Sequence, residues 1–176
     1  MTNLGVNIDH IATVRNARGE NHPQPHLMAK FAIDSGANSI TIHLREDRRH
    51  IKDKDLKIIS SLKKTPLNLE ISSNLKMLKI ALKFKPNYVC IVPEKRQEIT
   101  TEGGLNLKKN KKKVKFAVEE LNSSSIRTSL FINPSIKDIK ISKNIGAKCV
   151  EIHTGKISNL VKKNKYYYKE FLNIKK

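Results

Sequence analysis

The 176-residue sequence predicts an α/β fold of barrel type, assembled from six strand–helix units. Three observations carry this expectation. Short apolar runs recur along the chain, each followed by a longer helix-like stretch, which implies βαβ units and parallel pairing. Four of the runs alternate aliphatic with polar residues, so each such strand has one aliphatic and one ionisable face. Strands of an open, doubly wound sheet are covered on both faces and read as continuous apolar runs. A polar inner face suits the mouth of a barrel, where the C-terminal strand ends carry chemistry.

The elements follow in chain order. The first strand candidate is Leu4–Ile8, in which Leu4, Val6 and Ile8 oppose Gly5, Asn7 and Asp9. A helix is expected over Pro25–Ser35, ended by Gly36. In the strand Ser39–Leu44, Ile40, Ile42 and Leu44 oppose Thr41 and His43. A helix over Asp53–Lys63 leads to the strand Leu67–Ile71, where Leu67, Leu69 and Ile71 oppose Asn68 and Glu70. Helix Asn74–Lys83, strand Tyr88–Val92 and the lysine-rich helix Lys108–Leu121 come next. Strand Thr128–Ile132 precedes helix Ser135–Asn144, which Gly146 should end. In the last strand, Cys149–His153, Val150 and Ile152 oppose Glu151 and His153, and a final helix is expected over Ile157–Leu172.

Composition narrows the function classes. The formal net charge of +19 suggests nucleic acid or an anionic surface as a partner. However, 28 of the 35 basic residues are Lys, crowded into helices as in Lys108–Lys113, which is how a solvated helix face reads. Six of the seven Arg (Arg15, Arg18, Arg45, Arg48, Arg49 and Arg96) fall in polar, loop-like segments. There a rigid guanidinium fork can grip an oxyanion as Lys cannot. Cys90 and Cys149 sit inside apolar runs without metal-ligand spacing, which favours buried thiols in a reducing cytoplasm. No apolar run approaches a membrane span, and no signal peptide is read at the start.

The polar strand ends spell five long motifs. They are Asn7-Ile8-Asp9-His10 running on to Arg18-Gly19, His43-Leu44-Arg45-Glu46-Asp47-Arg48-Arg49-His50-Ile51, and Asn68-Leu69-Glu70. After these come Pro93-Glu94-Lys95-Arg96 running on to Thr100-Thr101-Glu102-Gly103-Gly104, and Glu151-Ile152-His153-Thr154-Gly155. In order and spacing, from Leu4 to about Gly155, they resemble the pyridoxine 5'-phosphate synthase family of vitamin B6 biosynthesis. Five long motifs in sequence are far more specific than one short pattern.

The resemblance implies a TIM-type (β/α)8 barrel and the condensation of 3-amino-2-oxopropyl phosphate with 1-deoxy-D-xylulose 5-phosphate. The products would be pyridoxine 5'-phosphate, phosphate and water. It implies that Asn7 and Arg18 hold the aminoketone phosphate, and that Asp9, His10, Arg45, His50 and Thr100 hold the deoxyxylulose phosphate. His43 and Glu70 would be general bases, and Glu151 would stabilise transition-state charge. The join between substrates is a Schiff base of their own amine and ketone, so no protein lysine, metal or cofactor is implied. It further implies a homo-oligomer and a mobile loop over Pro93–Gly104, while the Lys distribution and the lack of a long apolar run argue against a nucleic-acid or membrane partner.

Plainer readings stand beside these. His43 could be a satisfied structural histidine, Glu70 a strand-end ion pair, Asp9-His10 a cap, and Thr154-Gly155 a turn. Arg48 and Arg49 read as a solvated turn, His153 as structural, and His22 and His26 as surface residues. A complete barrel typically needs about 250 residues. Residues 1–176 are thus expected to form a single, incomplete barrel domain lacking the last two βα units and the family's seventh- and eighth-strand histidine motifs. Two alternatives follow: a truncated, inactive relative that only binds phosphate esters, or a basic nucleic-acid-binding module.

Overall fold

The computed structural model describes residues 2–62, 64–94 and 103–175. Six strands form one parallel sheet in strictly sequential order, β1-β2-β3-β4-β5-β6. They are β1 Gly5–Asn7, β2 Ser39–His43, β3 Leu67–Ile71, β4 Tyr88–Ile91, β5 Arg127–Ile132 and β6 Cys149–Ile152. The sheet is curled, with the helices on its outer side, as an incomplete barrel requires. The predicted strands are all present, most of them a residue or two shorter.

The alternation read from the sequence decides which face does what. Ile40, Ile42, Leu69, Ile71, Val89, Ile91, Leu130 and Ile132 point outward and are buried. Against them pack Leu56 and Ile59 from helix α3 (Asp53–Ser60), Met77, Leu78 and Ala81 from α4 (Leu75–Phe84), and Val114, Ala117, Val118 and Leu121 from α5 (Leu107–Ser123). Each fully buried aliphatic side chain stabilises this layer by roughly 1.5–3 kcal/mol. The inner face carries two polar rows fixed by register. Asn7, Thr41, Asn68, Tyr88 and Arg127 are successive partners in one. His43, Glu70, Cys90, Ser129 and Cys149 are successive partners in the next. This concave side holds a space of about 340 Å³, reached by Thr41, Asn68, Ser129 and Glu151.

Local signals explain most helix limits. Helix α2 (Pro25–Asp34) has Pro at its first position, where a missing N–H costs nothing. The Asn74 side chain accepts from Lys76 N at the start of α4, and Asn106 accepts from Lys109 N at the start of α5. Helix α6 (Ile136–Ile145) starts at Ser135 and ends at Gly146, whose φ of +94° is the left-handed geometry predicted there. Lys108, Lys109, Lys111, Lys112 and Lys113 line the exposed side of α5, as a solvated face should. Among the described residues, no helix is long and apolar enough to cross a membrane.

Two expectations need correction. Arg15 and Arg18 are not in a loop: residues Asp9–Arg18 form a helix, α1, directly after β1. The final stretch is two helices, α7 (Gly155–Lys162) and α8 (Tyr168–Lys175), separated around Asn164 with φ +49°. Lys162-Lys163-Asn164-Lys165 has no apolar residue to hold a helix against a core, so the run breaks there.

Gly104 marks where the chain returns to the sheet. Its N–H donates to Asn133 Oδ1 (2.9 Å), and Leu105 N–H donates to Phe131 O (2.8 Å). A Cβ there would lie 2.2 Å from Asn133 N and 2.4 Å from Ile132 C, both backbone atoms with no rotamer to yield. Gly104→Ala should therefore destabilise the fold by about 1–3 kcal/mol, the range for overpacking. A lower denaturant midpoint with unchanged m-value is the expected reading, and an unaltered midpoint would show that the strand end moves aside freely.

Candidate active site

The site grows from the C-terminal ends of β1, β2 and β3. Asn7 ends β1, and its side chain grips Asp9 twice: Asn7 Oδ1 accepts from Asp9 N (2.9 Å) and Asn7 Nδ2 donates to Asp9 Oδ2 (3.1 Å). The other carboxylate oxygen, Asp9 Oδ1, accepts the backbone N–H of His43 (2.8 Å). The first two strand ends are thereby locked by one side chain, and Asp9 is buried.

His43 closes β2 and lies between two carboxyl groups. Its Nε2 is 3.0 Å from Glu94 Oε1, and its Nδ1 is 3.7 Å from Glu70 Oε2. All three side chains are enclosed, at 6%, 8% and 14% exposure for His43, Glu94 and Glu70. Burial pushes the Glu70 carboxyl up to about 8, reinforced by repulsion from Glu151 and Asp9. At neutral pH Glu70 therefore holds its proton and exchanges it readily. Burial alone would also raise Glu94. Hydrogen bonds from the His43 ring and from Glu46 N (3.1 Å) outweigh it and hold Glu94 below the usual carboxylate range.

The loop after β2 brings Arg45 and His50 to the same place. Arg45 is buried, with Nε 3.5 Å from Asp47 Oδ1. The His50 ring lies 5.9 Å from the His43 ring, and its Nδ1 accepts from Ile51 N at 2.9 Å and is 4.0 Å from Asp9 Oδ1. Burial lowers the His50 pKa against the pull of Asp9, with His43 and Arg45 adding to the lowering. Across the sheet, Cys90 is buried with its thiol pushed up by burial, beside Glu151 and Ser129. Asp9, His43 and His50 bring ligand atoms within 4.8 Å of one another, the one such group among the described residues. The Asp9 oxygens, His43 Nε2 and His50 Nδ1 already have protein hydrogen-bond partners, so the cluster reads as a proton and hydrogen-bond network.

Of the residues singled out in the sequence, Asn7, Asp9, His43, Arg45, His50 and Glu70 thus converge. Glu151 joins from β6 through its repulsion of Glu70. His10 and Arg18 do not join this cluster. His10 is exposed, 3.4 Å from Thr13 Oγ1, and Arg18 pairs at 3.2 Å with Glu20, both about half exposed. Thr100 and most of the Pro93–Gly104 segment lie outside the described residues. His153 packs edge-on against Phe131, and Gly155 begins α7 rather than a plain turn.

Sequence reading missed Glu94 as a partner of His43. It also missed the brace behind the loop. Arg15 of α1 donates to both oxygens of Asp55 in α3 (2.6 and 2.9 Å), and Asn16 Nδ2 donates to His50 O (2.9 Å) and Arg49 O (3.1 Å). Pairings across dozens of residues leave no periodic trace.

Residues 4–176 match the protein family described as "Pyridoxal phosphate biosynthesis protein PdxJ". A pyridoxine 5'-phosphate synthase of Pelagibacter ubique is 64% identical over all 176 residues, which span 74% of that protein. The synthase of that name from Thermodesulfovibrio yellowstonii is 56% identical over 88% of this chain and 64% of its own length. One from Prochlorococcus marinus strain MIT 9211 is 55% identical over 90% and 65%.

Proposed function

Because the chain belongs to the PdxJ family of pyridoxal phosphate biosynthesis proteins, we propose that it takes part in making pyridoxine 5'-phosphate from 3-amino-2-oxopropyl phosphate and 1-deoxy-D-xylulose 5-phosphate. The carrying observation is the enclosed His43–Glu70 pair at the strand ends, beside Asp9, Arg45 and His50. Ring closure between two phosphorylated substrates needs proton transfers near neutral pH and fixed oxyanion contacts. A histidine beside a carboxyl that titrates near 8 supplies the first. Arg45 and His50 on the β2 loop supply the second.

In this reading His43 and Glu70 move protons on the joined intermediate, and Glu151 offsets positive charge as it develops. Asn7 and Asp9 present the first strand end. Arg18, His10 and Thr100 are proposed substrate contacts on the family pattern. Arg18 would have to leave Glu20 to make its contact. Residues 1–176 are taken as one barrel-type domain working in a homo-oligomer. The test is direct: supply both substrates to the purified protein and follow pyridoxine 5'-phosphate and inorganic phosphate together. Formation of neither product would defeat the proposal.

Arg45→Lys separates a planar fork from mere charge. Losing one charged hydrogen bond should weaken binding of 1-deoxy-D-xylulose 5-phosphate by about 1–3 kcal/mol in calorimetric titration. The surface control Lys112→Ala should bind as wild type. Equal affinity for all three proteins would leave only the general field of a basic chain.

A further inference from the structure

We propose that Glu94 is a positioning residue that fixes the tautomer and orientation of the His43 ring, leaving Nδ1 as the basic nitrogen turned toward Glu70. The inference rests on the reading of His43 as a proton-transfer group.

The geometry begins with a long reach. Glu94 follows β4, yet its Oε1 lies 3.0 Å from His43 Nε2 at the end of β2, with β3 between the two strands. Its second oxygen, Oε2, accepts the backbone N–H of Glu46 at 3.1 Å. Both oxygens are thus engaged, and the side chain is only 8% exposed. The turn it grips is braced in its own right: Glu46 accepts from Ser72 Oγ (2.6 Å) and Asn74 Nδ2 (3.2 Å) in the β3–α4 connection. Glu94 cannot swing away without releasing a network that spans three strand ends.

An ionised carboxylate can only accept a hydrogen bond. At 3.0 Å from Glu94, Nε2 must therefore carry the ring proton, since the opposite tautomer would set two lone pairs against each other. In the neutral ring the remaining lone pair is then on Nδ1, which faces Glu70 Oε2 at 3.7 Å. One acidic side chain outside the proton path thereby decides which nitrogen can accept a proton and where it points, as buried carboxylates do for histidines elsewhere.

The experiment uses full-length protein labelled with ¹⁵N-histidine, comparing wild type, Glu94→Gln and Glu94→Asp. His43→Asn identifies the His43 ring signals. The wild-type ring should show the Nε2–H form. Gln is close in shape but can donate through its amide, so Glu94→Gln should bring up the Nδ1–H form. Its kcat should fall on the order of 10²–10⁴-fold with little change in KM, the signature of a wrong tautomer. Asp keeps the acceptor, so Glu94→Asp should retain the Nε2–H form and recover part of the rate. Circular dichroism verifies that each variant is folded. A Glu94→Gln ring spectrum identical to wild type, or a loss confined to KM, would overturn the proposal. Absence of turnover in wild type would count against the synthase reading alone, and the ring spectra would still decide the role of Glu94.

Discussion

Glu70→Gln is expected to remove nearly all turnover, a loss on the order of 10²–10⁴-fold in kcat, while making the protein harder to unfold at alkaline pH. Both effects come from one environment. Glu70 sits on the concave face with its side chain 14% exposed, near Glu151 and Asp9, and its carboxyl titrates near 8 rather than 4.5. Below about pH 4.5 the group is protonated whether the chain is folded or not, and it has no influence on the balance. Between about 4.5 and 8 the folded protein holds a proton that the unfolded chain has lost, so stability falls as pH rises. Above about 8 the folded group must also ionise, and the penalty is complete. Its ceiling is about 5 kcal/mol, from the two titration points at 1.36 kcal/mol per pH unit. A neutral Gln escapes the penalty but cannot exchange a proton. Urea unfolding of both proteins at intervals from pH 5 to 9 should show wild type losing ground to the variant. Parallel pH curves would mean that Glu70 is already ionised in the folded state.

The second large effect lies behind the site. Asp55→Ala should cost about 3–5 kcal/mol, because it removes the paired carboxylate of a largely buried guanidinium. The two side chains are 10% and 7% exposed, and the contact is two-pronged. Asp55 also accepts from Lys52 N (2.9 Å) at the start of α3, so the helix loses an N-terminal acceptor as well. A well-packed apolar pair, Arg15→Met with Asp55→Leu, should recover much of the loss, since the cost comes from the unpaired charge. Chemical denaturation of the single and double variants checks this. A loss under about 1 kcal/mol for Asp55→Ala would place the pair among solvent-screened surface contacts.

The sheet was legible in the sequence because strand alternation reports burial directly. The pattern Ile40-Thr41-Ile42-His43-Leu44 is the same statement as an outer core and an inner polar row. The ends of α2 and α6 were legible because glycines follow them, Gly36 and Gly146, both at positive φ. Helix α1 was not. It starts directly after Ile8 with no side-chain cap, and its buried residues include Asp9 and Arg15. Beyond Ile11 and Ala12 against the core, it is held by polar contacts with distant groups, above all Asp55 and the β2 end. For the same reason the position of His43 on a polar strand face was readable, but its hold by Glu94, 51 residues away, was not.

The strictly sequential strand order has a consequence for how the chain finds its structure. Among the described residues every strand bonds to its neighbour in the chain, as Asn68 does with Tyr88 and Ser129 with Cys149. Closing a crossover between successive strands costs less entropy than bringing the most remote segments together. Assembly can therefore start at any one strand–helix–strand unit and spread to either side, each added strand finding a template already formed. That favours quick folding for a parallel sheet, a class that is usually slow. It also lets units be gained or lost at the rim without redrawing the connections of those already in place.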